Sequence, residues 1–125
     1  MPDLYKANPD AFVKEVVRLD APVTSATCAF AEQATVEYRG GCCGGPSPHE
    51  MPEGTLHQYV LSLANRDPSQ FDKPETFNPK RPNLDDMLGW NGALSKPDEY
   101  PRICPGQQMS VVIVKAIVGL AKEVQ

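Results

Sequence analysis

The chain has 125 residues, the length of one modest domain. Its 16 acidic and 12 basic residues leave a net charge of −4, which excludes a phosphate-coating nucleic-acid binder built on a clustered basic surplus. Hydrophobic residues, at 41%, are too many for a disordered chain, and 13 Pro with 9 Gly point to a structure held by turns as much as by regular ladders.

No stretch approaches the roughly 20 apolar residues of a membrane span. The longest run, residues 110–121, is interrupted by Lys115. The opening Met-Pro-Asp-Leu-Tyr-Lys has neither the apolar region of a secretory signal nor an Arg-rich transit pattern, so a soluble, cytoplasmic protein is expected. In that compartment Cys28, Cys42, Cys43 and Cys104 read as reduced thiols, each a candidate ligand or nucleophile.

Asn8-Pro9-Asp10 opens a helix with a capping side chain, an early proline and an acid. Phe12, Val13, Val16, Val17 and Leu19 recur at helical spacing up to a stop before Pro22. Residues 34–38 alternate like a strand, and residues 39–48 form a Gly/Cys/Pro loop. Residues 54–63 read as a second strand, or a strand running into a short helix, so the two segments are expected to pair as a hairpin. No internal repeat is present.

From residue 68 to residue 105, seven prolines punctuate the chain (68, 74, 79, 82, 97, 101 and 105), and no apolar period survives more than a few residues. A loop this long inside one domain is expected only where the loop itself is functional. Beyond it, Pro105 stands where a first-turn proline is tolerated. Met109, Val112, Ile113, Ala116, Ile117 and Leu120 then make an apolar face about four turns long.

Cys104 is the leading candidate for chemistry. A cysteine just ahead of a helix N-terminus has its thiolate favoured by the dipole and by free first-turn N–H groups. Pro105 supplies no N–H, so Gly106 and Gln107 are the expected donors, and Gly106 leaves room for a flat ligand beside the sulfur. The same local pattern also fits a buried structural cysteine. Glu15 and Arg18, three apart, share one face of the first helix; alone, such a pair is an ordinary surface ion pair.

The pair does not stand alone. It is followed in order by Asn65-Arg66-Asp67-Pro68, by Pro74-Glu75-Thr76-Phe77-Asn78-Pro79-Lys80-Arg81-Pro82, and by Arg102-Ile103-Cys104-Pro105-Gly106. This series resembles the C-terminal part of a cytochrome P450: a Glu-x-x-Arg helix, a small sheet, an Asn-Arg-Asp-Pro-like segment, a Phe-x-Pro-x-Arg stretch, and an Arg-x-Cys-x-Gly loop opening the last long helix. Each motif singly is weak, and their order and rough spacing carry the resemblance. It covers residues 11–120 of this chain, and the last third or less of the family's usual length.

The resemblance implies an α+β fold, residues 1–125 forming a single haem-thiolate domain with two main helices, a small β-hairpin sheet and a long meander and proximal loop. It implies haem b as cofactor, with Cys104 as axial thiolate, Arg102 meeting a propionate, and Pro105 and Gly106 among the cofactor-binding residues. Glu15, Arg18 and Arg81 correspond to a buried salt-bridge triad that pins the meander. Trp90 is a cofactor-binding candidate that could stack on the porphyrin, although a lone Trp in a meander is usually a packing anchor.

The chain also departs from the family pattern. Pro97 and Tyr100 stand where a Phe and a Gly usually precede the cysteine, and Thr27, Cys28 and Ala29 occupy a stretch where a second propionate-binding Arg is expected. Trp90-Asn91-Gly92, set ahead of an insert at residues 93–103, is similar to the hydroperoxide-metabolising members, the allene oxide synthases and hydroperoxide lyases. No segment matches the family's distal helix, and no flavin or nicotinamide fingerprint occurs. The resemblance therefore implies a peroxide- or fatty-acid-hydroperoxide-dependent oxidoreductase rather than a reductase-driven monooxygenase. The alternative is a non-catalytic haem-binding module or relict fragment, with a dimer mate or partner chain covering the distal haem face.

Lesser candidates have plainer readings beside them. Cys42, Cys43 and His49 have zinc-compatible chemistry, but adjacent cysteines suit a tetrahedral site poorly. His57 reads as a mid-strand residue, an acid/base facing a distal cavity or simply a partly buried histidine. Glu50 and Glu53 read as solvated turn carboxylates, and Lys115 as a snorkelling edge residue.

Overall fold

The computed structural model describes residues 2–38, 47–100 and 103–123. Arg102, Cys42, Cys43 and most of the expected Gly/Cys/Pro loop lie outside them. The chain divides into two compact units, one of residues 25–59 and one of residues 1–24 with 60–125.

In the second of these, a short helix α1 (Pro2–Ala7) precedes α2 (Pro9–Leu19). The expected start chemistry is in place: Asn8 is extended, and its Oδ1 accepts from the Ala11 N–H at 3.1 Å. The helix buries Val13 and, unusually, Glu15 and Arg18, while Val16 stays exposed. A four-residue helix α3 (Leu61–Ala64) leads into the meander, and α4 (Gln107–Glu123) ends the unit. The core is small: Val13, Ala21, Phe71, Leu84, Met87, Ala93 and Val111. An edge-to-face chain of rings, Tyr5 to Phe12 to Phe77, runs alongside with centroids 5.4 and 5.1 Å apart. Lys115 does more than snorkel: its Nζ pairs with Asp10 Oδ1 at 2.7 Å, and its carbonyl accepts from the Tyr5 hydroxyl at 3.1 Å, tying α4 to α1 and α2.

The apolar face of α4 is turned outward. Met109, Val112, Ile113, Ile117 and Leu120 are each half or more exposed, and among the described side chains of the helix Val111 is the buried one.

Among the described residues, the unit of residues 25–59 holds four strands in two nested antiparallel pairs. β1 (Ala26–Ala29) pairs with β4 (Leu56–Tyr59), and β2 (Ala34–Tyr38) with β3 (Ser47–Met51). The expected hairpin between residues 34–38 and 54–63 is therefore corrected: the later segment is a strand leading to a short helix, but its partner is β1. β3 escapes sequence reading because Pro48 sits inside it; in a two-stranded ladder the missing N–H can face outward without breaking a bond. Glu50 lies on β3 rather than at a turn, accepting from Gln33 Nε2 (3.0 Å) and Thr35 Oγ1 (2.9 Å). The two small helix-rich and strand-rich units agree with the expected α+β class.

A helix whose apolar residues face solvent gains little from them within this chain. Ile117→Gln should change unfolding free energy by no more than about 0.5 kcal/mol, read by urea denaturation; a loss above about 2 kcal/mol, the signature of core truncation, would show that this face is covered.

Candidate functional site

Glu15 and Arg18 are one turn apart on α2, so their side chains leave the helix side by side. They meet in a bidentate pair, Arg18 Nε to Oε2 at 2.7 Å and Nη2 to Oε1 at 2.9 Å, both residues fully buried. Arg81 comes from the meander, its Nε donating to Glu15 Oε1 at 3.1 Å, and the Asn78 N–H donates to the same oxygen at 2.9 Å. Two guanidiniums facing one carboxylate leave a surplus positive charge in the core. Backbone carbonyls absorb it: Asn65 and Pro74 accept from Arg18, and Asp72, Lys73 and Thr76 accept from Arg81. The Phe71 ring lies 5.0 Å from the Arg18 guanidinium carbon, a cation–π contact that adds to this compensation.

These bonds shape the meander. Each carbonyl held by an arginine fixes one peptide plane in a stretch without regular ladders, and Lys73 adopts a left-handed φ of 45° within it. Asn65, also buried, accepts the Leu88 N–H on its Oδ1 at 2.7 Å. Leu88 and Ala93 then form an isolated antiparallel bridge around a tight turn, Asn91 at φ 62° and Gly92 at φ 158°. Gly92 has no alternative: a Cβ there would stand 2.5 Å from Tyr100 Cβ.

That turn holds the cysteine. The Cys104 N–H donates to the Trp90 carbonyl at 2.9 Å, and the Trp90 indole Nε1–H donates to Ser110 Oγ at 3.0 Å on the first turns of α4. Cys104 is exposed and free of any disulfide. Two local expectations change. α4 begins at Gln107, so Pro105 and Gly106 form the turn before it rather than its first residues. The Gln107 N–H donates to the Cys104 carbonyl at 3.1 Å, so it is not available to the sulfur. Gly106 does flank the sulfur: a Cβ there would lie 3.6 Å from Sγ.

The structure thus links Glu15, Arg18 and Arg81 in one cluster, and Trp90, Gly106 and Cys104 in a second. Asn65, the buried C-cap of α3, is the residue that sequence reading quoted within the Asn-Arg-Asp-Pro motif without giving it a place in the site. His57 lies on β4 opposite Cys28, its ring against Phe30 (4.3 Å between centroids) and edge-on to Tyr59 (4.8 Å), apart from these clusters in sequence and unit. Among the described residues no group of three or more His, Cys, Asp or Glu side chains is placed to hold a metal ion directly, and no helix is long and apolar enough to cross a membrane.

Comparison with known proteins agrees with these motifs. A family model described as Cytochrome P450 matches residues 9–121. The probable cytochrome P450 28d1 of Drosophila melanogaster is 26% identical over 119 residues, covering 86% of this chain and 21% of the relative. Cytochrome P450 4d2 of the same organism is 31% identical over 107 residues, covering 86% and 19%. The solved tirandamycin C-bound P450 monooxygenase TamI superimposes with a TM-score of 0.70 at 19% identity, over 94% of this chain and 26% of that one. The chain therefore spans about a fifth of these curated relatives and about a quarter of that structure.

The Glu15 carboxyl carries a testable electrostatic signature. Burial, the largest single influence, raises its pKa, but the bonds from Arg18, the Asn78 N–H and Arg81 together outweigh it and hold the group below its usual 4.5. A carboxyl lowered by folding stabilises the fold fully above its ordinary value, and that contribution fades as pH falls through the folded-state value. Stability should therefore drop below about pH 4.5, and Glu15→Gln should flatten that drop while costing about 3–5 kcal/mol at pH 7. Urea unfolding from pH 7 to pH 3 measures both; an unchanged acid slope in the variant would contradict the assignment.

Proposed function

Because this chain belongs to the cytochrome P450 family, we propose that it is a haem-thiolate oxidoreductase module in which Cys104 supplies the axial ligand to iron. The observation that carries this reading is the placement of Cys104: a free, exposed thiol whose own amide is fixed by the Trp90 carbonyl. The donor set fits the cofactor. A thiolate is a family ligand of haem iron, and glycine at position 106 leaves the flank of the sulfur open to a flat group.

Bound haem b would supply a redox-active iron, onto which a thiolate ligand pushes electron density that favours O–O cleavage. The chain's own residues do the rest. Cys104 binds; Pro105 and Gly106 form the turn between it and α4; Trp90 ties the loop together, its carbonyl to the Cys104 N–H and its indole to Ser110 on α4. Arg102, two residues before the cysteine, is assigned to a propionate. Glu15, Arg18 and Arg81 hold the meander from which Trp90 projects. A peroxide or fatty-acid hydroperoxide is the proposed oxidant, and the support for it is the Trp90-Asn91-Gly92 turn and the insert at residues 93–103 that follows it.

A second reading is favoured by one observation, the outward apolar face of α4, with Met109 65% and Leu120 63% exposed. On a chain spanning about a quarter of a solved fold, such a face fits a haem-binding module completed by a partner.

Titrating the haem-free chain with hemin tests the shared premise. Saturable one-to-one binding is expected, weakened at least about tenfold in Cys104→Ala, since losing even an outer-shell partner of a metal ligand costs about that much. Equal binding by both proteins would remove Cys104 from the site.

A further inference from the structure

Among the described residues, the ion cluster on α2 and the cysteine loop share no direct hydrogen bond. One buried residue stands between them. Asn65 has 1% of its surface exposed, and it faces both ways: its main-chain carbonyl accepts from Arg18 Nη1 at 2.6 Å, and its side-chain Oδ1 accepts from the Leu88 N–H at 2.7 Å. Its Nδ2 has no partner among the described residues. A buried amide with one end unsatisfied is costly, and the acceptor at the other end is what offsets that cost.

From Leu88 the chain makes the tight turn to Ala93 and exposes the Trp90 carbonyl to the Cys104 N–H at 2.9 Å. The turn is packed closely on its α2 side. A Cβ at Gly89 would stand 2.9 Å from Val17 Cγ1, so the backbone already rests against the helix beside Arg18. On its other side Gly92 abuts Tyr100 and Ile103.

We infer that Asn65 is a positioning residue for the cysteine loop: it transmits the register of the Glu15–Arg18 pair to Leu88, and through the Trp90 turn to the Cys104 amide. Its functional weight rests on the reading of Cys104 as the haem ligand, but the positioning itself is a property of the protein chain. Losing the acceptor frees Leu88, lets the turn drift, and loosens the backbone that presents the sulfur. The α2 cluster itself survives, because Arg18 uses the Asn65 carbonyl rather than its side chain.

Amide hydrogen exchange of the full haem-free chain, resolved by residue, tests this without calling on haem binding, so its failure is distinguishable from failure of the haem reading. In Asn65→Leu, which keeps the shape and removes the acceptor, the Leu88 and Cys104 amides should exchange about tenfold faster, as for one lost buried bond. Amides of α2 and of the middle of α4 should stay within about twofold. Acceleration of all amides together would show a merely structural Asn65, and an unmoved Cys104 amide would sever the link; either overturns the inference. Should the variant not fold, the wild-type chain decides, through exchange in rising urea. Leu88 and Cys104 opening as one unit with one urea dependence supports the coupling, and separate openings overturn it.

Discussion

The carboxylate of Glu15 accepts four hydrogen bonds, two from Arg18 and one each from Arg81 and the Asn78 N–H. Burying it alone would be prohibitive, and burying either arginine alone equally so. Together they leave one unbalanced positive charge, and the backbone carbonyls of residues 65, 72, 73, 74 and 76 are turned inward to meet it. The meander owes its path to this requirement. A segment with so many prolines cannot be held by a β-ladder, and the apolar core of the unit is too small to order it by packing alone. Charged hydrogen bonds to peptide carbonyls are directional, so they fix peptide orientation where hydrophobic contacts would fix only proximity.

The consequence reaches Cys104 through short, stiff steps: the buried pair, Asn65, the turn between Leu88 and Ala93, and the Trp90 carbonyl. A thiolate ligand has to be presented at a fixed height and angle, and loops are poorly suited to that unless their backbone bonds are accounted for. Here the cysteine amide, the indole of Trp90 and the Ser110 hydroxyl, which itself donates to the Gln107 carbonyl at 2.7 Å, tie the loop to the start of α4. Pro97 and Tyr100, the departures from the usual family pattern, fall in the insert that this turn closes, and Gly92 is fitted against Tyr100.

Much of this was legible in the sequence. The α2 start was readable from Asn8-Pro9-Asp10, and the long last helix from its apolar period, because caps and periodicity are local signals. Glu15 and Arg18 were readable as a pair, but their burial was not, since an isolated Glu-x-x-Arg is ordinary on a helix surface; the motifs downstream supplied the context. β1 was missed because four small residues carry no alternation, and β3 because a proline within it speaks against a strand. Asn65 was read as part of a motif rather than as a buried acceptor, because nothing local says that a polar side chain turns inward. The orientation of α4 was equally illegible: its periodicity shows that it has an apolar face, and only the rest of the fold decides whether that face is covered.

The most direct test of Cys104 as a presented thiolate is the absorption spectrum of the haem-loaded, reduced, CO-bound chain. A red-shifted Soret band of the thiolate-ligated type is predicted. A band of the histidine-ligated or thiol-ligated type would contradict it, leaving the buried cluster and its meander as architecture without the proposed ligand.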